Sequence, residues 1–301
     1  MNSPKVTLVT GGSRGIGKAT ALLLAERGHR LCINYRQREA EALALVETIR
    51  ERGGTAIAIR ADISDEQQII ELFTQIDQQL GPITGLVNNA ARLFTQATVE
   101  QLAANRLHQL FAANISGSIL CAREAVKRMS TLHQGLGGAI VNVSSAASRL
   151  GSPFEYTDYA ASKGAIDTFT RGLSLEVAGA GIRVNAVRPG FIYTEMHAQG
   201  GEAGRVDRLG SQLPMGRGGQ PIEVAYAIAW LLSDEASYVT GSFIDLAGGA
   251  IVCQKILVNP AIFNQISHAS IRCMVLHAFS HPCTSCQRKL RRDLSPPLHL
   301  H

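Results

Sequence analysis

The sequence predicts an α/β domain built on a doubly wound parallel sheet of about seven strands, with helices on both faces. Three observations carry that prediction. At the N-terminus a β-branched run leads into a glycine loop and then an apolar helical pattern. Apolar runs and helical patterns go on alternating along residues 1–250. That length holds one such domain with an ample core and no separate substrate domain.

The first strand is Lys5-Val6-Thr7-Leu8-Val9-Thr10, and the loop is Gly11-Gly12-Ser13-Arg14-Gly15-Ile16-Gly17. Ala21, Leu22, Leu24 and Ala25 give the following helix its apolar face. Strand, glycine loop and helix together aim backbone N–H groups at a pyrophosphate. Gly11 and Gly15 allow tight turning and close cofactor approach, and Gly17 is expected to let the helix pack on the sheet. Leu31-Cys32-Ile33-Asn34 is the second strand. Helices are expected near residues 15–28, 38–53, 65–81, 99–132, 157–179 and 220–233. Further strands fall at 83–87, 140–143 and 184–187, and the alternation requires another between the second and third helices. This is a Rossmann-type order.

Tyr159 and Lys163, in Tyr159-Ala-Ala-Ser162-Lys163, lie one helical turn apart on one face. An ammonium there stabilises a phenolate, and bringing a phenol from its usual pKa of about 10 toward 7 takes about 4 kcal/mol. Such a tyrosine exchanges a proton with an alcohol oxygen.

With the Gly-x-x-x-Gly-x-Gly spacing and the Tyr/Lys pair together, the chain resembles the short-chain dehydrogenase/reductases, and other segments agree in order. Asn88-Asn89-Ala90-Ala91 matches the family's Asn-Asn-Ala-Gly turn with one departure, at Ala91. Ser145 ends Ile140-Val141-Asn142-Val143-Ser144-Ser145 where the family keeps its catalytic serine, with Ser144 as the competing candidate. Asn114 stands where the family keeps a site asparagine. Pro189-Gly190-Phe191-Ile192-Tyr193-Thr194 matches the segment that holds the nicotinamide, and Asp245-Leu246-Ala247-Gly248-Gly249 the end of the fold. The resemblance covers about residues 4–250 and is similar in feel to bacterial reductases related to the short-chain glucose dehydrogenases.

The resemblance implies an oxidoreductase interconverting a carbonyl and an alcohol or sugar hydroxyl by hydride transfer. Its catalytic set would be Asn114, Ser145, Tyr159 and Lys163. Cofactor contacts are expected from Gly11, Ser13, Arg14, Gly15, Ile16, Gly17, Arg36, Asp62, Ile63, Asn89, Ala90, Tyr159, Lys163, Pro189, Gly190, Ile192 and Thr194. In this scheme Asn114 holds a water that links Lys163 to solvent. Asp62 would contact the adenine, although a helix cap is its other reading. The second strand ends in Asn34-Tyr35-Arg36 and lacks the carboxylate that NAD-preferring enzymes place on the ribose. Arg14 and Arg36 would converge on a 2′-phosphate, so the expected cofactor is NADP(H). A glycine replaced by Ala91 raises the alternative of a weakened or silent NADP(H)-binding regulator, if that position needs a positive φ.

Residues 191–220, rich in Gly and polar residues, suit a mobile lid, with Phe154, Tyr193, Met196 and His197 as candidate pocket residues. The partner expected is a small carbonyl or alcohol, and the family habit is a tetramer or dimer pairing the helices near 99–132 and 157–179. Their apolar stripes are Leu110, Phe111, Ile115 and Leu120, and Phe169, Leu173, Leu175 and Val177.

Residues 1–250 carry 23 basic and 23 acidic side chains, so the whole formal charge of +5 lies in 251–301. That segment is expected to be a basic, Cys/His-rich, partly disordered tail. Cys283 and Cys286 with His277 and His281 have tempting metal spacing but no pattern that would close a site, so no metal is expected. Nucleic acid is not an expected partner of the neutral core. Residues 1–5 do not resemble a signal peptide and no apolar run reaches spanning length, which with the two core cysteines points to the cytoplasm.

Overall fold

A computed structural model of the chain describes residues 5–251. The expectations for the tail therefore lie outside the described residues. Seven parallel strands are present: β1 (Val6–Val9), β2 (Arg30–Tyr35), β3 (Thr55–Arg60), β4 (Gly85–Asn88), β5 (Gly138–Val143), β6 (Ile182–Pro189) and β7 (Phe243–Leu246). Their order across the sheet is β3-β2-β1-β4-β5-β6-β7, every neighbouring pair parallel. The order reverses between β1 and β4, and a crevice opens there at the carboxyl ends of the strands.

The helices are α1 (Gly15–Glu26), α2 (Glu39–Glu51), α3 (Glu66–Gln79), α4 (Ala104–Phe111), α5 (Ser118–Met129), α6 (Ala147–Leu150), α7 (Thr157–Val177), α8 (Met196–Gln199), α9 (Arg205–Gly210) and α10 (Pro221–Leu232). α1, α2 and α10 bury one face of the sheet with Leu24, Leu45, Ile49 and Ile228. α3, α5 and α7 bury the other with Phe73, Ile76, Cys121 and Val177. The two central cysteines, Cys32 and Cys121, are free and fully buried, and burial raises both thiols well above their ordinary range. They pack as small hydrophobes.

The helix expected over 99–132 is broken. A short turn at Val99–Gln101 precedes α4, and a π-helical stretch, Ala112–Gly117, separates α4 from α5. The cause is tertiary. A Cβ on Gly117 would lie 2.3 Å from the Ile63 carbonyl oxygen, so the chain presses there against the loop after β3. The wider turn also carries the Asn114 amide to the main chain of Arg92. Of the expected interface stripes, Leu110, Leu173 and Val177 are buried in the chain's own core, whereas Leu175 is 81% exposed. Much of that pattern is thus explained without a second subunit.

One buried histidine makes the fold acid-sensitive. His29 Nδ1 and Thr7 Oγ1 are hydrogen-bonded at 2.8 Å. Burial, then the charges of Lys5 and Arg27, push the His29 imidazole down to about 4. The unfolded chain binds that proton near pH 6.5 and the folded chain does not, so stability falls as pH drops from 6.5 and the loss is complete near 4. The shift corresponds to about 3 kcal/mol. Urea unfolding at pH 7 and pH 4.5 should show most of this difference, and His29→Gln should remove most of it; equal pH dependence in the two proteins would refute the assignment.

Candidate active site

The crevice is built on the turn after β1. Thr10 Oγ1 accepts the N–H groups of Asn89 and Ala90, both at 3.0 Å, and donates to Val87 O at 3.2 Å. Asn89 Nδ2 donates back to the carbonyls of Thr10 (2.9 Å) and Gly11 (3.0 Å). The glycine loop is therefore tied to the turn after β4. Gly11 sits at φ +60°, and a Cβ there would lie 2.9 Å from Ala90 Cα. Gly17 has a different role from the one expected. A Cβ on it would strike Asn89 Nδ2 and Gly11 O, each at 2.6 Å, so its bareness closes the loop and does not serve helix–sheet packing. Ala91, the departure from glycine, is absent from the positive-φ residues. The strain that would have weakened cofactor binding does not arise.

A cleft of about 560 Å³ follows. Gly11, Ser13, Arg14, Gly15, Ile16, Arg36, Asp62, Ile63, Asn89, Ala90 and Thr194 line it. Gly17 lies behind this lining. Pro189 ends β6, Gly190 N donates to Leu246 O at 3.0 Å, and Ile192 is buried. Arg14 of the glycine loop lines the same cleft as Arg36 and Arg38 past the end of β2, with no carboxylate at the strand terminus. Arg36 and Arg92 both hold Asp62 Oδ2, at 3.3 and 3.2 Å. Burial opposes ionisation of Asp62, but hydrogen bonds from Ser64 and the charges of Arg92 and Arg36 outweigh it and hold the carboxyl below its ordinary range. The helix cap is Asp65, which accepts Gln68 N at 3.2 Å, so Asp62 is left to the cleft. Bare glycines for a phosphate chain and clustered guanidinium groups for a phosphomonoester fit a dinucleotide phosphate.

The other expected site residues meet at the ends of β5 and α7. Ser144 is buried and donates to Lys163 O at 3.3 Å, whereas Ser145 is half-buried, its Oγ accepting from Ala147 N at 3.1 Å. Lys163 is buried, donates to Val143 O at 2.7 Å, and lies 5.6 Å from the Tyr159 ring centroid. Burial pushes the Tyr159 phenol up to about 12, and a hydrogen bond with Ser145 offsets part of the rise. Burial likewise pushes Lys163 down to about 8, against the opposing pull of Asp167. Burial thus works against the acidified phenol that the spacing predicts. Desolvation opposes the pull of an ammonium that donates its hydrogen bond to a main-chain carbonyl.

Asn114 is buried and its amide is engaged. Oδ1 accepts Arg92 N at 2.7 Å, while Nδ2 donates to Arg92 O at 3.0 Å and Ser162 Oγ at 3.2 Å. It braces the turn after β4 against α7, so a water relay would have to use its main chain. The segment over 191–220 is pinned. Buried Arg205 forms a fork with both Glu155 oxygens and holds Glu202, Tyr156 OH donates to Gly200 O at 2.9 Å, and Arg14 donates to Gln199 at 2.6 Å. Among the expected pocket residues, Met196 lines the cleft, Tyr193 OH donates to Asp207 at 2.9 Å, and His197 Nε2 meets Ile192 O at 2.9 Å. Phe154 is 63% exposed at φ 65°, a conformation costly for a bulky residue.

Sequence reasoning missed Thr10, Arg38, Arg92 and Arg205. Arg38 had a signal, since it stands two residues beyond Arg36 in the same basic turn. The others read as ordinary polar residues until the fold assembles them. Among the described residues no group of His, Cys, Asp and Glu could hold a metal ion, and no helix is long and apolar enough to cross a membrane.

Fold and site together define an oxidoreductase domain, and comparison with known proteins gives the family. A family model described as Enoyl-(Acyl carrier protein) reductase matches residues 11–250. The chain is 65% identical over 244 residues to the uncharacterized oxidoreductase YgfF of Escherichia coli (strain K12), covering 81% of this chain and 99% of that protein. It is 38% identical over 259 residues to a glucose and ribitol dehydrogenase homolog of Oryza sativa subsp. japonica, covering 82% and 86%. A crystal structure of a short chain dehydrogenase from Burkholderia cenocepacia J2315 in complex with NADP superposes with a TM-score of 0.74 at 32% identity, covering 82% of this chain and 97% of that one. The chain belongs to the short-chain dehydrogenase/reductase family.

Proposed function

We infer that the protein is an NADP(H)-dependent oxidoreductase interconverting a carbonyl and a secondary alcohol or sugar hydroxyl. The observation that carries this is that Arg14, Arg36 and Arg38 line one cleft beside a β2 end that lacks a carboxylate. The NADP bound by the Burkholderia relative supports the same reading. When bound, the dinucleotide supplies or accepts the hydride. Tyr159 exchanges its proton with the alcohol oxygen, and the Lys163 ammonium works against the burial that raises the phenol. Ser145, beside that phenol, hydrogen-bonds the same oxygen and holds it in place. Lys163 uses one donor on Val143 O and keeps others for the nicotinamide ribose and the phenol. Asn114 holds Ser162 and Arg92, and so fixes α7 against the turn at Ala91.

Titration of the purified protein with NADPH and with NADH, followed by fluorescence, tests the reading. NADPH should bind the more tightly, and Arg36→Ala should lose about tenfold or more of that affinity while leaving NADH nearly unchanged. Equal affinity for the two nucleotides would remove the basis of the assignment.

A further inference from the structure

Lys163 is an ammonium group buried with a single main-chain oxygen as its hydrogen-bond partner among the described residues, a setting that favours loss of its proton. One turn further along α7, on the same face, lies Asp167, also buried. Arg188 on β6 donates to Asp167 Oδ2 from Nε at 2.9 Å, with 4% and 7% of the two side chains exposed. Asp167 Oδ1 is buried without a hydrogen-bond partner among the described residues. The proposed reaction gives this pair no task. We propose that Asp167, held by Arg188, is a positioning residue: its carboxylate is the buried counter-charge that keeps Lys163 an ammonium ion, ready for Tyr159 and the cofactor ribose. The proposal rests on the role given to Lys163 above.

The arrangement of charges explains why a buried pair is useful here. A lone carboxylate at this depth would take up a proton, and the guanidinium of Arg188 prevents that. Arg188 in turn faces Asp245 on β7, at 3.4 Å, so its charge is shared between two carboxylates and does not cancel Asp167 alone. Arg171, also on α7, lies with Arg188 against the Phe243 ring, at 4.7 and 4.0 Å. Two carboxylates therefore face Arg188, and one of them lies a single turn from Lys163. The lysine, pushed down by burial to about 8, is pulled the opposite way by Asp167.

The chain has six lysines, so isotope labelling of lysine and NMR titration can follow the Lys163 ammonium directly in the full-length protein without cofactor, with Lys163→Arg giving the assignment. The midpoint should lie near 8. Asp167→Asn, which keeps shape and an acceptor for Arg188, should lower it by about one unit. Asp167→Glu should hold it near the original value, and Arg188→Gln, which leaves Asp167 free to take up a proton, should lower it. An unmoved midpoint in Asp167→Asn, or a fall in Asp167→Glu as large as that in Asp167→Asn, would overturn the proposal. Should Asp167→Asn fail to fold, the direction of the shift in Arg188→Gln decides alone. NADPH affinity should begin to fall at the same lowered pH in Asp167→Asn, and affinity that ignores the shift would overturn the positioning role. Because the first readout needs neither substrate nor turnover, it can fail or succeed independently of the proposed activity.

Discussion

Tyr159→Phe is expected to lower the rate of NADPH-dependent carbonyl reduction by about two to four orders of magnitude while leaving NADPH affinity within about twofold. The substitution removes one hydroxyl and keeps the ring, so packing around α7 is retained. What disappears is the proton donor, and no other described group at the site replaces it. Lys163 donates to Val143 O, Ser144 to Lys163 O, and the Asn114 amide is bonded to Arg92 and Ser162. The Ser145 hydroxyl remains but is far too weak an acid at neutral pH. Steady-state rates on whichever aldehyde, ketone or sugar the wild-type protein turns over, with NADPH affinity measured alongside, give the comparison. A variant that keeps a tenth or more of the wild-type rate would mean that another group protonates the product. A wild-type protein that binds NADPH and turns over no carbonyl compound would favour the silent regulator.

How much of this was legible in the sequence depends on how local the cause is. β1, the glycine loop and α1 are written in adjacent residues, and they fold as the pattern from Lys5 to Ala25 says. The third strand was demanded by alternation alone, because Thr55-Ala-Ile-Ala-Ile-Arg60 lies at the sheet edge with exposed ends and a mixed pattern. The break in the expected helix over 99–132 could not be read, since it depends on Gly117 meeting Ile63 O, 54 positions away in the chain. Side-chain chemistry follows the same division. The spacing of Tyr159 and Lys163 put both on one helix face, but the state of the phenol depends on burial, which no spacing encodes. Arg92 and Arg205 resembled solvated residues for the same reason. Arg205 is only 6% exposed because α9 folds back over Tyr156 and Glu155.

Gly17→Ala should weaken NADPH binding by about ten- to a hundredfold and lower the melting temperature, although alanine is the better helix former. The new methyl would fall 2.6 Å from Gly11 O, 2.6 Å from Asn89 Nδ2 and 2.9 Å from Gly12 Cα. Two of these three are backbone atoms with no rotamer to change. The third belongs to the amide that ties Thr10 and Gly11 to the turn after β4. Relief therefore requires the first turn of α1 to back away or the loop to open, and either movement misplaces the N–H groups offered to a pyrophosphate. Overpacking of this kind costs about 1–3 kcal/mol, which divides between folding and binding. Gly172→Ala is the matched control. Gly172 is interior to α7, and an added Cβ would meet nothing within 4 Å, so the change should stabilise by about 0.5–1 kcal/mol and leave NADPH affinity alone. The contrast isolates contact from propensity, because both glycines are helical and only one is crowded. If Gly17→Ala melts and binds like Gly172→Ala, the loop is not held by that contact, and the cradle must owe its shape to the Thr10–Asn89 hydrogen bonds alone.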